Sequence, residues 1–229
     1  MKNRWIALCV SIGLVLMFAA AATAFEADFD PSTYNPEVGE IVNFEVCESC
    51  LGGSDFTYFW DFDGNGEVEL ETDQALVTYS FGSEGFFEIE LTVRDAGGRT
   101  SVARQGIVVG PAKAVAVREL LVESDGAIFV LITITTHATA TVNIEEGIPD
   151  GWAVEVVDVG GAMVKINAAE KRIEAAWMSL YEADETVTFS YRLRPAYTSV
   201  LPVLHGEVAG YSSGDRFVAG IAGMLGLPR

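Results

Sequence analysis

The sequence is poor in the side chains that most catalytic chemistry needs. It holds two histidines, His137 and His205, and neither stands in a Gly-x-Ser-x-Gly or His-Glu-x-x-His context, which excludes those hydrolase and zinc-peptidase signatures. Of three cysteines only Cys47 and Cys50 are neighbours, so a four-thiolate zinc site is excluded as well. Cations are scarce: 14 Lys and Arg stand against 33 Asp and Glu, for a formal net charge of −19. Such a surface repels nucleic acid and anionic lipid, so no nucleic-acid partner is expected. Residues 25–111 contain no window with a helical period, and no long Ser/Gly linker divides the chain.

What is present begins with an address. Lys2 and Arg4 precede an apolar run from Trp5 to Phe18, and small residues end in Ala22-Thr23-Ala24. This is the pattern of a cleaved secretory signal peptide over residues 1–24, with Phe25 as the mature N-terminus. An uncleaved anchor is the alternative, for which the run is short. The expected location is therefore secreted, extracellular or cell-surface, or periplasmic if the envelope has two membranes. Membrane contact is expected only through a retained signal segment, since the tail ending Gly226-Leu227-Pro228-Arg229 shows no sorting motif or second apolar span.

In that compartment Cys47-Glu48-Ser49-Cys50 reads differently from a cytosolic pair. The spacing fits a redox pair or half a zinc site, but with no second pair and the histidines far off, a short-loop disulfide is predicted. The mature chain is long enough for two domains, read as 25–111 and 112–229. Acid is concentrated in the first, whose only cations are Arg94, Arg99 and Arg104.

Alternation of apolar and polar residues dominates both halves. Val42, Phe44 and Val46 share one strand face, as do Phe87, Ile89, Leu91 and Val93, and Asp95-Ala96-Gly97-Gly98 is a hairpin turn. Six or seven short strands at intervals of about ten residues indicate an antiparallel β-sandwich. Beyond Pro111-Ala112-Lys113 the pattern continues through Ile128–Thr135, Ala140–Glu146, Ala153–Val157, Ile173–Trp177, Glu185–Pro195 and two tail segments. The fold class is all-β: two tandem immunoglobulin-like antiparallel sandwiches after the signal peptide.

Trp60-Asp61-Phe62 with its Asp/Gly turn, Thr78-Tyr79, and Gly85 through Asp95 with Gly98 resemble, in order and spacing, the polycystic-kidney-disease (PKD) type domain. The resemblance implies an immunoglobulin-like sandwich of secreted and cell-surface proteins that acts as a spacer or contacts polysaccharide or protein. It places Trp60 between the sheets with Tyr79 completing the core. The loop with Cys47 and Cys50 departs from the family's usual connection. In the second half, Ile148-Pro149-Asp150-Gly151-Trp152, Trp177-Met178-Ser179-Leu180 and Thr186 to Arg192 resemble the repeat domains of prokaryotic surface proteins, although Asp184 stands where glycine is usual. That resemblance implies a non-catalytic structural unit with Trp177 as a signature residue.

A metal reading competes for the first signature. Asp61, Asp63, Asn65 and Gly66 match the opening of a calcium loop, but the position due a bidentate glutamate is Thr72, Glu71 falls one place early, and no helices flank it. An EF-hand is excluded, and a smaller calcium set of Asp61 and Asp63 with Glu67 and Glu69 is left as the only metal or cofactor expectation. As paired carboxylates Asp61 and Asp63 are read as a solvated strand face before a hydrolase pair. The expected function is a non-catalytic structural, adhesion or spacer protein whose partner is an extracellular protein or polysaccharide. The alternative is a carbohydrate-binding accessory module of an extracellular degradative system, which an exposed row of aromatics would favour.

Overall fold

Residues with a period of two pair into sheets that bury one face each, and the computed structural model describes residues 25–195 and 202–227 in this form. The signal peptide read over residues 1–24 lies outside the described residues. The first half contributes β1 (Phe29–Pro31), β2 (Val42–Val46), a single helical turn α1 (Glu48–Leu51), β3 (Thr57–Asp61), β4 (Leu70–Thr72), β5 (Leu76–Tyr79), β6 (Gly85–Arg94) and β7 (Thr100–Val109). The second half contributes β8 (Ala114–Val122), β9 (Ile128–Thr136), β10 (Thr141–Gly147), β11 (Trp152–Asp158), β12 (Met163–Asn167), β13 (Arg172–Ala176), β14 (Thr186–Pro195), β15 (Gly206–Ser212), β16 (Asp215–Gly220) and β17 (Ala222–Met224). The fold is all-β, as the alternation predicts.

Three sheets make two sandwiches. A three-stranded sheet β1-β2-β5 and a five-stranded sheet β12-β13-β10-β15-β16 each face part of one nine-stranded sheet, β11-β14-β9-β8-β17-β7-β6-β3-β4. Two hydrophobic cores result. One joins Phe29, Phe44, Trp60, Leu91 and Ile107, and the other joins Ile132, Ile144, Trp177, Phe189 and Val208.

The nine-stranded sheet runs without a break from one sandwich into the other, and β17 makes the join. Its Gly223 pairs antiparallel with Gly106 of β7 and parallel with Arg118 of β8. Gly223 has φ +82°, and a Cβ there would lie 2.4 Å from the Arg118 carbonyl oxygen, so the slot admits only glycine. Backbone bonds from Leu225 to Arg104 and from Leu204 to Leu225 hold the flanks.

Where the sequence suggests a plain loop after the first cysteine, α1 forms, capped by Gly52 at φ +64° and anchored by buried Leu51. Cys47 and Cys50 are disulfide-bonded across it. In the described residues β12 is an additional edge strand, and Met163 and Ile166 on it are exposed.

Candidate functional site

The Trp60 stretch is divided between core and turn. Trp60 and Phe62 stack at 5.4 Å, Phe62 stacks on Tyr79 at 4.1 Å, and Phe29 meets Trp60 edge-on at 5.0 Å. Trp60 is fully buried and Tyr79 closes the cluster from its margin. These residues fill space between sheets and present no aromatic platform. Trp152 and Trp177 are buried as well, and the Trp177 indole donates to the Gly160 carbonyl at 2.8 Å.

Asp61 differs from its reading as a solvated strand-face residue: it is 7% exposed, and both carboxylate oxygens are occupied by the turn. Oδ1 accepts from the Gly64 amide at 2.7 Å, and Oδ2 accepts from the Gly66 amide at 2.7 Å. The cause is that β3 ends at Asp61, so the following backbone curls over the side chain and aims its free N–H groups at it. Gly64 permits the curl, because a Cβ there would come within 2.9 Å of the Glu88 carbonyl oxygen. A carboxylate held this way stabilises the turn and is poorly placed to take a proton from a substrate.

The turn also gathers acid. Asp61, Asp63 and Glu69 each offer a carboxylate oxygen, all within 4.8 Å of one another, while Glu67 is not among them. The Glu69 Oε2 additionally accepts from the Phe62 amide at 2.8 Å. Opposite ligands of a calcium ion, at about 2.4 Å each, lie about 4.8 Å apart, so these three carboxylates could share one ion with water completing its shell.

The histidines are separated, as their positions suggest. His137 is exposed beside the Lys113 carbonyl. His205 lies at the seam between sandwiches, its Nδ1 3.2 Å from the Glu88 Oε1. A cleft of about 470 Å³ opens there, lined by Phe86 and Glu88 from β6 and by Glu145, Arg172, His205 and Glu207 from the second sandwich.

Sequence reasoning missed the buried pair of Arg118 and Glu146, each with a side chain 0% exposed. The Arg118 Nε and Nη2 donate to Glu146 Oε1 at 2.9 and 2.7 Å, and Nη1 donates to the carbonyls of Leu204 and Met224, both at 3.2 Å. One guanidinium thus ties β8 and β10 to the strand that joins the sandwiches. Burial pushes the Glu146 carboxyl up, against the pull of Arg118.

The fold and these sites define an all-β, disulfide-bearing, two-sandwich protein. Residues 30–106 match the PKD domain, which bears out the resemblance carried by Trp60-Asp61-Phe62 and the Gly85–Asp95 strand. No curated protein matches the chain. Among solved structures, the chain is similar to a carbohydrate-binding module of the β-sandwich superfamily at 16% identity and a TM-score of 0.36, covering 88% of this chain and 96% of that one. The collagen-binding domain from a Staphylococcus aureus adhesin is 9% identical with a TM-score of 0.32, over 49% of this chain and 99% of that one. A type II cohesin dyad from the adaptor scaffoldin of Acetivibrio cellulolyticus is 9% identical with a TM-score of 0.37, over 85% and 95%.

Proposed function

We propose that the protein is a secreted or cell-surface, non-catalytic adhesion or spacer protein that contacts an extracellular protein or polysaccharide. The observation that carries this reading is the PKD match over residues 30–106, whose signature side chains are consumed by folding: Trp60 and Tyr79 in packing and Asp61 in holding a turn. Two features support it further. The disulfide suits an oxidising compartment. One sheet spans both sandwiches, so the pair can hold a fixed separation under load.

The mature protein is expected to show no turnover in a broad hydrolase panel and to partition with cells or matrix in culture fractionation. Reproducible turnover abolished by Asp61→Asn, with the fold intact, overturns the reading. Retention on insoluble glycans with displacement by soluble sugar would favour the accessory-module alternative.

A weak calcium site at Asp61, Asp63 and Glu69 belongs to the same proposal. Calcium at about 1–10 mM, the range of extracellular modules, is expected to raise the melting temperature by a few degrees. The rise should vanish in Asp63→Asn, whose side chain holds less of the turn than Asp61 does. A calcium-independent melting temperature removes the site.

A further inference from the structure

Among the described residues the three sheets end in six edge strands. An open edge is a template for another strand, and most of these are blunted. β1 is three residues long and ends in Pro31, β4 is three residues long, and β11 is interrupted by a bulge between Val156 and Asp158. β16 reaches the first sandwich, where the Phe86 ring lies against its Gly220. β5 follows Glu69, Glu71 and Asp73 and bears one exposed large apolar residue, Leu76. β12 differs. It pairs without a break with β13 on one side, and it carries Met163, 68% exposed, and Ile166, 45% exposed. Trp177 follows the strand opposite and bonds the Gly160 carbonyl, so Val159, Met178 and Leu180, all exposed, flank the start of β12.

This flank is also electrically unlike the rest of the chain. Residues 157–180 hold the acids Asp158, Glu170 and Glu174 and the cations Lys165, Lys171 and Arg172, a balance of zero in a chain of net charge −19. Two such acidic chains meet with least repulsion at a neutral flank. The strand moreover matches itself. Ile166 stands opposite buried Ile173, so Val164 and Ile166 lie on the core side and Met163 and Lys165 on the outer side. A two-fold axis at Val164, perpendicular to the sheet, sets Val164 against Val164 of a second copy, Ala162 against Ile166, and Met163 against Lys165, each pair on one face. No like charges meet. Ala162 and Val164 already pack against the second core, so the core-side rows of the two copies run on from one to the other. Lys165 keeps Glu174 at 3.3 Å and lays its apolar stem along Met163 of the other copy.

We propose that β12 is a homodimer edge, at which two copies of the chain pair antiparallel through residues 162–166 about Val164 and join their five-stranded sheets into one of ten strands. The pairing uses the same edge of both chains, so assembly closes at two. β16, at the far edge of the same sheet, adjoins the first sandwich, which leaves the two PKD-matching halves at opposite ends of the dimer. A repetitive extracellular partner then meets two such halves at once, and avidity rises without any new contact. Other occupants fit the flank less well. Trp177 is buried and Tyr181 packs against the core, so no ring is offered to a sugar, and a balanced charge selects neither a cationic nor an anionic peptide. The inference goes beyond the module reading, which a monomeric chain would leave standing.

Sedimentation equilibrium of the mature chain over about 5–500 μM is expected to show the average mass rising from one chain toward two, since a short-strand interface belongs to the weak, transient class. Raising the salt from about 50 to about 500 mM should tighten the dimer, because it screens repulsion between two acidic chains and spares apolar and backbone contacts. The register gives two variants opposite signs. Met163→Lys sets like charges across both Met163 and Lys165 pairs and should weaken association about threefold to tenfold, whereas Met163→Glu makes two cross-strand ion pairs and should strengthen it by about as much. Met163 is exposed, so both variants should melt with the parent at low concentration, which separates association from folding. Val218→Lys, at an exposed position on the far edge of the sheet, should leave association unchanged. A monomer at every concentration overturns the proposal. So does weakening by both Met163 variants alike, which would mean a patch without this register, or dissociation by salt, which would mean association led by charge. A loss in Val218→Lys equal to that in Met163→Lys overturns it as well, by placing the contact elsewhere.

Discussion

Arg118→Met is expected to lower the free energy of unfolding by about 3–5 kcal/mol, because it strands a buried Glu146 carboxylate without its counter-charge. The loss has a second part. The carbonyls of Leu204 and Met224 each lose a donor, and the Leu204 bond is a buried one. Glu146 is already the less satisfied partner, since its Oε2 has no hydrogen-bond partner and lies where a Cβ at Gly206 would come within 2.8 Å. Removing both charges with Arg118→Met and Glu146→Leu should therefore recover a large share of the loss, because the paired desolvation costs disappear together. Urea unfolding of the single and double variants measures the coupling. A double variant no more stable than Arg118→Met would show that the guanidinium matters through the two carbonyls, and an unchanged single variant would contradict the buried pair altogether.

This pair also shows what the sequence made legible. Arg118 continues the spacing of Ala114 and Ala116, and Glu146 continues that of Val142 and Ile144, so period-two alternation alone puts both charges on buried faces. The signal was present, but charge is ordinarily read as exposure. Trp60, Tyr79 and the Phe87–Val93 strand were readable because their alternation is long and their turns are glycine-marked. Asp61 was misread for a local reason: its strand stops at that residue, so strand parity no longer fixes what surrounds its side chain. Met163–Asn167 and Ala222–Met224 were missed for another. Both are short, and the second gains its conformation from partners more than a hundred residues away in Arg118 and Gly106, with Ala-Gly-Met carrying no periodicity of its own.

The joining strand sets the other large expected effect. Gly223→Val should cost at least about 2–3 kcal/mol, since a β-branched residue is strained at positive φ and its Cβ meets the Arg118 backbone. The consequence is directional. The slot between β7 and β8 loses its strand, Arg118 Nη1 loses the Met224 carbonyl, and the nine-stranded sheet parts between the two hydrophobic cores. Each core retains its own opposing sheet, so the sandwiches should survive separation while ceasing to unfold together. Calorimetry of the parent is expected to show one transition and that of Gly223→Val two, with the half containing Arg118 melting first because its buried ion pair has lost a bond. Cleavage by a protease of broad specificity should appear at the same time between Val109 and Ala114, where the chain passes from one core to the other. A single transition at the parent temperature would mean that β17 fills the slot without coupling the sandwiches. A single transition shifted downward would mean that contacts outside β17, such as His205 with Glu88 and the Phe86 ring against Gly220, suffice to keep the two cores cooperative.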